Sequence, residues 1–172
     1  LDVGIAKMDS EELGRQMRRV SAGGVDTNFA IDAANSLQIA GVNIRESVTT
    51  DDNLSTSNKA GSALAKAAAI NDSTKFHGVS ATATATVADL GAITAGSFNA
   101  TDNMVINGET IIGVTTQTDD ADGSLVDAIN ALTDETGVVA SIDSDNSLLL
   151  TAEDGRNIDV VINNPNGGPG ID

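Results

Sequence analysis

Between residues 103 and 162 apolar and polar positions alternate, drift to helical spacing, and return to alternation. Residues 104–106 and 109–114 flank Asn107-Gly108, the pair that supplies the positive φ angles of a type I′ turn, so the pattern predicts a hairpin. Leu125, Ala128, Ile129 and Leu132 fall at i, i+3, i+4 and i+7, one apolar face of a helix. Ser124 is its expected cap, with Asp127 three residues on as capping-box partner. Gly137 is expected to end the element and release 138–142 as a strand. Alternating or apolar runs at 147–152 and 157–162, around Glu153-Asp154-Gly155, predict a second hairpin.

Upstream, SALAKAAAINDSTKFHGVSATATATV (62–87) joins alanines at helical density to an Ala/Thr alternation of period two. It predicts a helix over 63–70 and a strand over 81–87. Small alanines let the helix sit close on a sheet, and Thr82, Thr84 and Thr86 present a β-branched, hydroxylated face to water. A helix of about ten residues is marginal alone, so packing must stabilise it.

The two halves are copies of each other. SLQIAGVNI (36–44) and NMVINGETI (103–111) share an Ile-x-Gly-x-x-Ile frame at an offset of 67 residues, with Ile39, Gly41 and Ile44 matching Ile106, Gly108 and Ile111. AINDSTKFHGVSA (69–81) and AINALTDETGVVA (128–140) align without a gap at an offset of 59. The shorter second offset implies an insertion in the first copy around 49–60. The expected fold is therefore α+β: two related β-hairpin/helix/strand units, 31–100 and 101–163, each a small, mainly antiparallel sheet with one packed helix. Asp9 and Glu12 cap a predicted short helix at EELGRQMRRV (11–20), and NNPNGGPGID closes the chain as a turn or linker over 164–172.

Composition narrows the function. Of the 172 residues 24 are alanine and only three are phenylalanine, with no Trp or Tyr, so any core is built from thin layers of Val, Ile, Leu and Ala. Twenty-five acidic residues against nine basic give a net charge of −16. Lys7, Arg15, Arg18 and Arg19 balance Asp2, Asp9, Glu11 and Glu12, so the excess negative charge lies downstream. Such a surface repels a phosphate backbone and carries no stacking platform, which excludes nucleic acid as a partner. No apolar run approaches the ~20 residues of a membrane span, so no membrane insertion is expected. Without cysteine there are no disulfides, thiolate nucleophiles or Cys-ligated metals.

Candidate chemistry is sparse. His77, the single histidine, sits in KFHG as an ordinary loop residue and lacks an oriented nucleophile. Asp51-Asp52, Asp119-Asp120 with Asp122, and Asp143 with Asp145 and Asn146 invite a calcium reading, but the spacing after Asp143 runs into leucines where an EF-hand loop needs Gly and Glu. No catalytic, cofactor-binding or metal residue is assigned. Ser and Thr in TTDDNLSTSN (49–58) serve solubility or accept O-linked sugars, and Asn107-Gly108 and Asn166-Gly167 are prone to deamidation.

INGETI, the acidic loop, GSLVDAINALTDETGVVASID and LLLTAEDGRNIDVVI resemble the IN motif of the outer domains of bacterial flagellins and some hook-associated proteins. The first copy is similar to the segment that precedes that motif in longer flagellins, and SEELGR resembles the edge of the filament-core domain, placing 1–30 there. The family's amphipathic terminal helices are missing at both ends. The resemblance implies the surface-exposed middle of an extracellular filament subunit, monomeric as it stands and joined to other flagellin subunits when full-length. It implies no enzyme, cofactor or metal, and leaves host or surface receptors open. A hook-associated or filament-cap domain is the alternative within the family; a calcium-dependent adhesion module is the alternative outside it.

Overall fold

The computed structural model describes residues 29–170; the helix expected over 11–20, with its Asp9 and Glu12 cap, lies outside them. The first half runs β1 (Gln38–Ile39), β2 (Val42–Asn43), α1 (Ala63–Asn71), α2 (Thr74–His77) and β3 (Thr86–Ala92). The second runs β4 (Gly96–Phe98), β5 (Asn103–Ile106), β6 (Glu109–Ile111), β7 (Val114–Thr116), α3 (Ser124–Asn130), α4 (Thr133–Thr136), β8 (Val139–Ile142), β9 (Ser147–Ala152) and β10 (Val160–Asn163). All pairs are antiparallel, in four small sheets ordered β1-β2, β4-β7, β10-β5-β6 and β3-β9-β8. This is the mixed α+β class that the pattern predicts.

The core sits in the second half. Alternation along β9 sends Leu148, Leu150 and Ala152 inward, and the same period in β5 buries Met104 and Ile106. Leu125 and Ile129, one turn apart on α3, close on them with Val138, Ala140, Ile93, Phe98 and Ile111. Phe98 is the aromatic of this cluster; Phe29 and Phe76 are exposed. Each buried branched side chain stabilises the fold by roughly 1.5–3 kcal/mol over leaving it in water. Among the described residues the first half has a small apolar cluster of Ile31, Ile44 and Ala69, with Leu37, Ile39 and Ile70 packed beside them, and Ala65 is buried as well.

Four expectations are corrected. The Ala/Thr alternation is unpaired over 79–85, and the strand begins at Thr86, where Ala152 of β9 first offers it a partner. The first half's returning strand thus joins the second half's sheet, across residue 100. Second, β9 and β10 form no hairpin: β9 pairs with β8 and β3, while β10 pairs with β5. The intervening 153–159 is held away from β9 by Asn157, whose backbone N–H donates to Ser55 Oγ at 2.8 Å and whose Nδ2 donates to the carbonyls of Ser57 and Asn58. Third, α1 is covered mainly by loops, touching a sheet only through the cluster that Ala69 and Ile70 share with Ile39 of β1. It packs on the turns Thr49–Asp51 and Lys59–Gly61, within the insertion. Finally, the stretch expected as linker docks: Thr94 N–H donates to the Gly170 carbonyl at 2.9 Å, Gly170 N–H donates to Thr94 Oγ1 at 2.6 Å, and Pro169 is buried.

Ile129→Ala empties a fully buried site on α3 and should cost about 2–5 kcal/mol. Ile112→Ala, at a residue 53% exposed, should change stability by less than about 0.5 kcal/mol. Paired urea melts check this, and equal effects would remove α3 from the core.

Candidate functional site

The Ala-Ile-Asn to Gly-Val-x-Ala repeat folds into one device, made twice. A carboxamide is both donor and acceptor, like a peptide unit, so an asparagine can pair with a strand residue as a neighbouring strand would. Asn71 Nδ2 donates to the Ala81 carbonyl at 2.9 Å and its Oδ1 accepts from Ala81 N–H at 2.8 Å. Asn130 makes the same pair with Ala140, at 3.1 and 2.7 Å. Thr74 Oγ1 donates to the Val79 carbonyl, and Thr133 Oγ1 to that of Val138, both at 2.9 Å. The chain reverses between at Gly78 and Gly137, with φ of +72° and +69°. At Gly137 the positive φ disfavours any side chain, and the Arg156 guanidinium lies where a Cβ would stand and would have to swing aside.

The hairpin turns correspond as well. Ala40 and Gly41 have φ of +49° and +80°, Asn107 and Gly108 +50° and +96°, the two positive values of a type I′ turn. Asn107 does more than turn the chain. Its buried Nδ2 donates to the Thr136 carbonyl at 2.8 Å and its Oδ1 accepts from Asp159 N–H at 2.8 Å, tying the hairpin to α4 and to the run into β10. Arg156 Nη1 donates to the same Thr136 carbonyl at 3.1 Å and is held by Asp154. Ala40 offers no counterpart.

The acidic candidates bind backbone. Asp120, buried, caps α3: Leu125 N–H donates to its Oδ1 and Val126 N–H to its Oδ2, each at 2.9 Å. The carboxylate faces the positive end of the helix dipole. Ser124, the expected cap, is instead the first helical residue, its hydroxyl donating to the Thr115 carbonyl at 2.8 Å. Asp143 Oδ1 accepts from Asp145 and Ser147 N–H, closing a turn with Asn146 at φ +63°. Asp119 has φ +58°, and the Ser124 hydroxyl and N–H, with a smaller contribution from Gln117 Nε2, hold the Asp122 carboxyl below the usual range. Among the described residues no three His, Cys, Asp or Glu side chains gather as metal ligands. His77 Nδ1 accepts from Val79 N–H at 3.1 Å, which puts the ring proton on Nε2, 3.1 Å from the Ile70 carbonyl.

Missed in the sequence was a knot in the insertion. Arg45 grips Asp51 with its two terminal guanidinium nitrogens, Nη1 and Nη2, at 2.6 and 2.9 Å, and its Nε binds Asp72 beyond α1. The Arg45 hydrogen bonds hold the Asp51 carboxyl below the usual range, as those of Arg156 do for Asp154. Burial pushes the Asp52 carboxyl up, but hydrogen bonds from Ser55 and from the Leu54 amide outweigh it and leave it lowered. Ser62 caps α1, its Oγ accepting from Ala65 N–H at 3.0 Å. No helix among the described residues is long and apolar enough to cross a membrane.

Comparison with known proteins converges on one family. Residues 103–154 match the Flagellin hook IN motif. The chain is 30% identical over 167 residues to Flagellin A of Helicobacter pylori, covering 96% of this chain and 31% of that protein. It is 38% identical over 100 residues to Flagellin A of Helicobacter felis, 56% of this chain and 18% of that one. A stretch of 39 residues is 64% identical to Flagellin A of Helicobacter mustelae, 23% of this chain and 8% of that one. The chain thus spans about a third or less of the length of the curated relatives it matches.

Removing the half-buried clamp, Asn130→Ala leaves the Ala140 amide and carbonyl short of partners and should cost about 1–3 kcal/mol. Asn71→Ala, in the exposed clamp, should cost less than about 1.5 kcal/mol because water replaces the lost bonds. Denaturant melts rank the two. Asp51, Asp52 and Asp154 are lowered in the folded chain, so the stability they contribute is complete above their unfolded pKa of about 3.9 and is lost as pH falls through their folded values. Melting temperature should therefore stay level from pH 7 to about 5 and drop below about 4; a level profile down to pH 2 would contradict the assigned pairs.

Proposed function

We propose, for a flagellin-related chain that carries the hook IN motif over residues 103–154, a structural role as a solvent-exposed outer domain of a bacterial flagellar filament subunit. The observation that carries this reading is the kind of work its polar groups do. Among the described residues, Asn71, Asn130, Asn107, Asp120 and Asp143 spend their polar groups on backbone, holding turns, helix ends and returning segments in place.

The mechanism is geometric. Two clamped repeats fold with few aromatic residues and a net charge of −16, so crowded copies repel one another and stay apart in solvent. Assembly with other subunits would then fall to parts of a flagellin that this chain does not span. The units 31–100 and 101–163 act as two related bodies joined through β3 and β9.

Gold-labelled electron microscopy of the source cells, with antibody raised against this chain, checks the assignment. Label along the whole filament is the expected result. Label confined to the tip or the hook junction would make it a cap or hook-associated domain, and none on filaments would reopen an adhesion role. For that last case a calcium titration of the melting temperature decides, since an adhesion module held by calcium gains stability with the ion.

A further inference from the structure

Two Asn-Gly pairs stand in the sequence, 107–108 and 166–167, and the fold treats them oppositely. Glycine follows the asparagine in each, so no side chain shields the next backbone nitrogen from the carboxamide carbon. Asn107 is buried and spends both ends of its carboxamide, donating to the Thr136 carbonyl and accepting from Asp159 N–H, each at 2.8 Å. Its carbon reaches the Gly108 nitrogen only if both bonds break inside the fold. Asn166 stands exposed in the turn that follows β10, with Gly167 at φ +76°. Asn164, in the same turn, is followed by proline, whose nitrogen carries no hydrogen to give up.

The chain after Asn166 is fitted without slack. Asn166 N–H donates to Asp102 Oδ1 at 2.9 Å, and Gly170 exchanges two bonds with Thr94, the neighbour of the core residue Ile93. Between these anchors a Cβ on Gly168 would lie 2.8 Å from the Asp102 Cβ, and one on Gly96 would lie 2.6 Å from the Pro169 nitrogen.

We propose that Asn166 is a self-modifying site, and that its conversion to isoaspartate frees residues 167–170 from Thr94. The Gly167 nitrogen attacks the Asn166 Cγ; a C–N bond forms, the attacking nitrogen gives up its proton, and the side-chain nitrogen leaves as ammonia. Water then opens the succinimide ring. Opening at the main-chain carbonyl carbon routes the backbone through the side chain and lengthens it by one carbon, whereas opening at the other carbonyl gives aspartate. The inserted atom lies downstream of the bond to Asp102, so 167–170 are the residues that shift out of register. Either product also places a new carboxylate close to the buried Asp102, and like charges so placed repel. The step needs water alone and does not rest on the filament role.

Ageing the intact chain in heavy-oxygen water labels each residue whose ring has opened, and peptide mass mapping reads where. Label is expected at 166 at least about tenfold faster than at 107, where two bonds must break first, and the two rates should converge in the urea-unfolded chain. Hydrogen exchange at the Thr94 amide should be more than about tenfold faster in the aged chain. Asn166→Gln, aged alongside, should keep that protection, because a larger ring closes more slowly. Equal labelling at 107 and 166 in the folded chain would overturn the proposal. So would Thr94 protection that outlasts conversion of 166, or that falls equally in the Asn166→Gln chain.

Discussion

A side-chain amide standing in for a missing β-strand is the constraint on which both halves depend. After α1 and α3 the chain must reverse and run back antiparallel, and a bare strand there would leave its amide and carbonyl exposed to competition from water. Asn71 and Asn130 bind both groups of a residue ten positions later, fixing where the returning segment starts and which way its side chains face. Aspartate lacks the donor, and glutamine adds a methylene to the reach. That leaves asparagine as the residue this geometry takes, and it is what stands in both copies.

With the clamp equal, the two repeats differ in what covers the helix. In the second, β9 lays Leu148 and Leu150 against α3, and Asn107 bolts the hairpin to the run before β10. In the first, Ala40 cannot bridge, no second pair of strands follows, and the insertion supplies its own polar cover. Ser47, Asp52, Ser55 and Ser62 are buried there and hydrogen-bonded: Ile31 N–H donates to Ser47 Oγ at 2.8 Å, Ser55 N–H to Asp52 Oδ1 at 2.9 Å and Ala65 N–H to Ser62 Oγ at 3.0 Å, while Asp52 Oδ2 is buried without a partner. Such a cover packs against alanines, which expose little apolar area, and would leave a Leu or Ile face unsatisfied. The alanine density of α1 and the polarity of the insertion are thus one design decision.

Much of this was legible in the sequence because it is periodic or chemically obligatory. The helices over 63–70 and 124–130, the Asn-Gly turn, the stop at Gly137 and the duplication follow from spacing, turn chemistry and self-similarity. What stayed hidden depends on partners far along the chain. That 79–85 finds no strand while 86–92 does is decided by where β9 ends, sixty residues later. That Asp120 rather than Ser124 caps α3 is decided by the left-handed turn at Asp119 and Asp120, which carries the carboxylate back over the helix end. The acidic clusters suggested ion ligands because composition shows charge and hides direction. Each of these carboxylates that binds backbone is turned toward amides of its own loop or helix, and carboxylates so turned do not converge on a common centre.

The same turn outwards and clamp inwards separates local geometry from core. Asn, Thr and Gly positions reproduce one chain reversal after the helix to within a few tenths of an ångström in hydrogen-bond length, whether the returning segment is a strand, as at 139–142, or an unpaired run, as at 79–85. A motif that sets its own geometry tolerates replacement of whatever covers it. Repeats of this kind can therefore be lengthened by insertion, as around 49–60, or share a strand with a neighbour, as β3 does with β9, without disturbing the reversal. In a chain as acidic as this one, the surface can then change while the fold that presents it stays fixed.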